Sequence, residues 1–107
     1  KTVYCNNERR IIMAIFFMFG NYTPEARKEM SAARTQQAIN TIQKLGGEVN
    51  AMHALLGPYD LLFCVTLPGI DDAIKASVAL SDQTGISFTT CPAVTVETFD
   101  ELVKSSG

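Results

Sequence analysis

An α+β domain with the element order β-α-β-β-α-β is what three features of this sequence predict. Two strongly apolar runs of strand length, 13–19 and 59–67, are separated by a long stretch in which apolar residues recur at helical spacing. A second stretch of helical period, 70–84, follows the second run. Between the helical stretch and the second run lies Leu56-Gly57-Pro58-Tyr59-Asp60, a tight turn that joins neighbouring strands. At 107 residues with 47% hydrophobic side chains, the chain has the size of one domain with a thin core.

The first strand covers 13–19 and is apolar on both faces. Thr23 is placed to cap the helix that follows, with Pro24 at its first position and Glu25 in its first turn. That helix is expected to run unbroken to about Leu45, with Ala26, Met30, Ala33, Ala38, Ile42 and Leu45 facing inward and Gly46-Gly47 ending it. A second strand fits 48–56, and a third fits Tyr59 to Leu67, stopped by Pro68-Gly69. In the second helix Ile70, Ala73, Ile74, Ser77 and Leu80 are expected inward, and Gly85 closes it. The fourth strand lies within 86–96, bent or bulged at Cys91-Pro92 because proline cannot donate a ladder hydrogen bond. Thr98 to Lys104 reads as a short terminal helix with Thr98 as cap and Glu101 completing a capping box. This is the ferredoxin-like or split βαβ arrangement, an antiparallel sheet with two helices on one face.

The net charge is −2 with Lys and Arg scattered, so no nucleic-acid footprint is present. Three cysteines, Cys5, Cys64 and Cys91, lack metal-ligand spacing and read as reduced thiols of a cytoplasmic protein. The apolar run Ile11–Phe19 is nine residues long, far short of the ~20 needed to span a bilayer. Residues 1–12 carry no comparable pattern and are read as an N-terminal extension or remnant ahead of a single domain, 13–107.

Both faces of the strands are apolar: Ile15, Phe17 and Phe19 oppose Ala14, Phe16 and Met18, and Tyr59, Leu61, Phe63 and Val65 oppose Leu62 and Cys64. Two helices cover one face only. Burying one Phe or Leu contributes about 1.5–3 kcal/mol, so the other face favours self-association, sheet against sheet. The alternative cover is internal, from residues 1–12 or the C-terminal segment.

The runs Gly46-Gly47-Glu48-Val49, Leu56-Gly57-Pro58-Tyr59-Asp60 and Leu61 to Val65 resemble the GYD domain family, small ferredoxin-like proteins. The likeness continues through the small-residue helix Ala73 to Leu80, Ala93-Val94 and Phe99-Asp100-Glu101-Leu102, and so spans about 14–103. The family's glycine, tyrosine and aspartate fall on Gly57, Tyr59 and Asp60, which the resemblance marks with Pro58 as the structural motif. Pro58 departs from the pattern, where a polar and often acidic residue is common; it stiffens the turn and removes a charge. The resemblance implies a fold more than an activity.

Four residues are candidate ligand contacts: Tyr22, His53, Tyr59 and Asp60. His53, the sole histidine, is also the one candidate general base, read against a hydrogen-bonded sheet residue. Asp60 is read either as a ligand carboxylate or as the acceptor for N–H groups of its own turn, holding the hairpin closed. Tyr59 and Asp60 are expected on opposite faces of the sheet. The segment Asn21-Tyr22-Thr23 opens a helix and reads first as a cap and second as an anion site. Cys64 packs as a small hydrophobe, while Cys91 precedes a proline at a more open position; neither has a partner base. No metal set and no cofactor are expected.

The leading expectation is an oligomer of this chain that binds a small apolar or aromatic ligand or regulates through assembly. The alternatives are a cofactorless monooxygenase-like or isomerase-like enzyme of the dimeric α+β barrel type, and a purely structural assembly domain.

Overall fold

The computed structural model describes residues 13–106. The expectation for residues 1–12 lies outside them. The chain runs through β1 (Ala14–Asn21), α1 (Pro24–Lys28), α2 (Ala32–Lys44), β2 (Glu48–Ala54), β3 (Leu61–Leu67), α3 (Ile70–Thr84), β4 (Ser87–Ala93) and α4 (Val96–Ser106). The four strands form one antiparallel sheet in the order β2-β3-β1-β4, consistent with a ferredoxin-like fold.

The alternation in β1 and β3 decides which residues meet the helices. Phe16, Met18, Leu61, Phe63, Val65 and Leu67 are buried beneath Ala38 and Ile42 of α2 and Ala73, Ala76 and Leu80 of α3. On the other face Ile15, Phe17, Phe19, Leu62 and Cys64 are half-buried, and no described helix packs over them.

Four expectations need correction. The first helix is two. Ser31 caps α2 by accepting from the Arg34 N–H at 3.1 Å, which ends α1 at Lys28 and re-aims the chain. Ala33 is exposed as a result, while Met30 still packs on the core. In α3 the inward residues are Ala73, Ala76, Leu80 and Thr84, whose mostly small side chains let the helix approach the sheet. Ile70 and Ile74 are swung outward.

The bulge lies in β2 rather than β4. Val49 pairs with Val65 and Ala51 with Cys64, leaving Asn50 as the extra residue, so Val49 and Met52 both pack on the core despite their unlike parity. β4 holds continuous register past Pro92 because it is an edge strand with one neighbour, where a missing N–H is tolerated. Finally, α4 begins at Val96 and its cap is Thr95, whose hydroxyl accepts from the Thr98 N–H at 3.1 Å.

Other terminators are as the sequence dictates. Thr23 accepts from the Ala26 N–H at 3.0 Å with Pro24 beside it. At the end of α2 the Gly47 N–H reaches the Ile42 carbonyl and the Gly46 N–H the Gln43 carbonyl, the doubled bonding of a Schellman motif, with Gly46 at φ +85.

Candidate functional site

The β2–β3 turn and the β1–α1 junction meet at one end of the sheet, and Asp60 joins them. Its carboxylate accepts the Tyr22 N–H at 2.9 Å across 38 residues of sequence. Its own N–H donates to the Gly20 carbonyl at 2.9 Å, and its carbonyl accepts from Leu55 at 2.8 Å. The hairpin is therefore closed through the Asp60 carbonyl, while its N–H and its side chain are spent on the end of β1 and the β1–α1 connection rather than on its own turn.

Beside this junction opens a cleft of ≈ 420 Å³ lined by Tyr22, Thr23, Pro24, Arg27, Ala54, Leu55 and Asp60. The volume lies within the range of small-molecule sites. The lining is mixed: one carboxylate, one guanidinium, two hydroxyl-bearing residues, and the apolar surfaces of Pro24, Ala54 and Leu55. A carboxylate has capacity for more than one hydrogen bond, so Asp60 can hold Tyr22 and still accept from a second donor.

The four expected contacts do not form one group. Tyr22 and Asp60 line the cleft. His53 is exposed and pairs across the sheet with Leu62. Tyr59 lies against Phe19 with ring centroids 4.9 Å apart, and Phe19 pairs with Leu62. Tyr59 and His53 thus belong to the open face, and Tyr59 and Asp60 do diverge as expected. Arg27 was missed by the sequence reading. Its signal was its place one turn into a helix capped beside Tyr22, on the same face as the first-turn residues.

The open face consists of three cross-strand rows: Thr89–Phe19–Leu62–His53, Cys91–Phe17–Cys64–Ala51 and Ala93–Ile15–Thr66–Glu48. Phe19, Leu62, Phe17 and Ile15 fill most of its middle and polar side chains three of its four corners, close to the anatomy of an interface. Cys64 and Cys91 are free thiols, half-buried and exposed. They flank Phe17 two strand spacings apart, about 10 Å, beyond disulfide reach within one copy. Among the described residues no group of three or more His, Cys, Asp or Glu is placed to hold a metal ion. No described helix is long and apolar enough to cross a membrane.

Comparison with known proteins gives a family and a fold. The family model described as the GYD domain matches residues 16–103. No curated protein matches the chain in sequence. Among solved crystal structures, the leucine response regulatory protein LrpA of Mycobacterium tuberculosis superposes with a TM-score of 0.52 and 7% identity, covering 77% of this chain and 51% of that chain. MtbAldR superposes with a TM-score of 0.57 and 15% identity, covering 88% of this chain and 61% of that chain. At such identities the likeness is one of fold alone, and this chain spans only 51% to 61% of the two solved chains.

Proposed function

This chain belongs to the GYD domain family, and within it we propose a non-enzymatic regulatory role, as a cytoplasmic self-assembling domain that binds a small zwitterion with an apolar tail. One observation carries this reading: Asp60 and Arg27 line the same cleft as Leu55 and Ala54. Asp60 accepts from an ammonium group, Arg27 pairs with a carboxylate, and the aliphatic walls take the tail. An amino acid with an apolar side chain has this chemistry. The name of the fold neighbour LrpA, a leucine response regulatory protein, supports L-leucine as the first probe. Assembly through the open face completes the reading, because a ligand held at the sheet end can bias how two copies meet.

The test is a thermal-shift titration with L-leucine and the other apolar amino acids. The expected result is a saturable rise in Tm, about 2.7 kcal/mol of stabilisation at a hundredfold excess over Kd, abolished in Arg27→Ala. Arg27 is exposed, so its loss leaves the fold intact. A flat response to every member of the panel overturns the reading.

One observation favours an enzyme of the α+β barrel type instead. His53, Leu62, Phe19 and Tyr59 run in a continuous line on the open face, where a second copy would enclose them with an aromatic or apolar substrate. Under that second reading His53→Ala abolishes turnover, and an unchanged rate removes it.

A further inference from the structure

Among the described residues two apolar surfaces are left without a partner in a single copy, one a ridge and the other a groove. The first is a ridge. Val96, Phe99 and Leu102 recur every three residues along α4 and are each more than half exposed. Among the described residues no strand or helix makes more than a slight contact with α4. The helix stands off the domain, which is 49 Å in its longest dimension with a radius of gyration of 15.8 Å, against about 13 Å for a compact chain of about 100 residues. An 11-residue helix is marginal by itself in water, so its apolar stripe needs a surface to lie on.

The second is a groove. Ile70, Ile74 and Val78 form the outer flank of α3 and are also more than half exposed. With Phe16 at the floor and Thr90 and Pro92 along β4, they enclose an apolar cleft of ≈ 210 Å³. Its wall is fixed, since the Ser77 and Thr90 hydroxyls share a hydrogen bond of 2.6 Å. The groove lies along the free edge of the sheet, beside the strand that leads into α4.

We propose that α4 is an exchanged arm: in the assembled protein the Val96-Phe99-Leu102 ridge of each copy seats in the α3–β4 groove of its partner. This rests on the self-assembly part of the reading above and specifies its interface. A second copy is the occupant that the chain itself supplies, since it carries one ridge and one groove and a two-fold axis satisfies both reciprocally. Area points the same way. Four strands about 4.8 Å apart and about 23 Å long give a flat face of about 440 Å², roughly half of the about 800 Å² per partner in a standard interface. An arm about 16 Å long and about 10 Å wide, together with the groove on the same chain, brings the contact near that size. Reach is sufficient. Val94 and Thr95 add about 7 Å to the about 16 Å of the arm, a reach of about 23 Å against the about 10 Å between packed sheets.

The experiment compares the dissociation constants of the Phe99→Asp and Ile74→Asp chains by sedimentation, alone and mixed. Both side chains are exposed in one copy, so the variants fold. Each alone is expected to raise the dissociation constant by about tenfold or more. Mixed together they regain one intact ridge and groove, so the mixed pair forms in preference to either variant with itself. Wild type mixed with the double variant keeps no intact contact between unlike chains and shows no such preference. If wild type assembles but both variants do so equally well, the arm is overturned and the open-face reading stands. A wild type that stays single at every concentration overturns both. If the variants lose thermal stability without any change in association, the arm closes on its own groove and the exchange is wrong.

Discussion

The Asp60 carboxylate accepts the Tyr22 backbone N–H at 2.9 Å, tying the turn between two strands to the start of the first helix. A charge-assisted bond of this kind contributes about 1.5–3 kcal/mol, and it is half-buried here. Asp60→Ala is therefore expected to lower unfolding free energy by about 2 kcal/mol in urea titration, and Asp60→Asn, which keeps an acceptor oxygen, by less. Equal and negligible losses would mean that the clamp contributes nothing.

Two glycines respond with opposite sign. A Cβ on Gly47 would stand 2.5 Å from the Thr66 carbonyl oxygen and 2.5 Å from Leu67 Cδ2. Gly47→Ala should destabilise by about 1–3 kcal/mol, because backbone cannot give way as a side-chain tip can. Gly69 caps α3 with extended backbone and no side-chain bond, and a Cβ there meets nothing within 4 Å. Gly69→Ser should add a few tenths of a kcal/mol by supplying the missing cap. Chemical denaturation of both variants reads the contrast.

Phe16 and Phe17 are neighbours in sequence with different work. Phe16 is in the core at 1% exposure, and Phe17 is half-buried on the open face. Phe16→Ala should cost about 3–5 kcal/mol of folding stability. Phe17→Asp should instead shift the protein toward single copies while the isolated domain stays folded. Calorimetry paired with sedimentation separates the two effects, and a Phe17→Asp protein that assembles like wild type would contradict this assignment.

Thr95 and Thr98 both lie at the start of α4, but only the Thr95 hydroxyl accepts from a backbone N–H. Thr95→Ala should weaken the helix by about 1 kcal/mol, seen as faster amide exchange across 96–104. Thr98→Ala keeps that cap bond and should leave exchange nearly unchanged.

The α+β class and the four strands were legible because alternation in β1 and β3 and the Gly46-Gly47 stop are local signals; the exact order of elements was not, since the expected first helix is two. What escaped depends on competition between local options. Ser31 inside a helical pattern can continue the helix or cap a new one, and it caps. The bulge at Asn50 leaves no trace in the sequence, yet it turns Val49 inward. Ala73 and Leu80 face the core as expected, but small residues drew the rest of the core side of α3 to Ala76, where hydrophobicity alone favoured Ile70 and Ile74. At the site, Tyr22 and Asp60 were named individually, but their contact spans 38 residues and follows only from the register of β1 against β3.

Sedimentation velocity across a dilution series measures directly whether neighbouring copies shelter the Ile15, Phe17, Phe19 and Leu62 face. A species of at least twice the 11.7 kDa chain mass, dissociating on dilution, is the expected result. A single 11.7 kDa particle that persists at the highest concentration would contradict the account at its root.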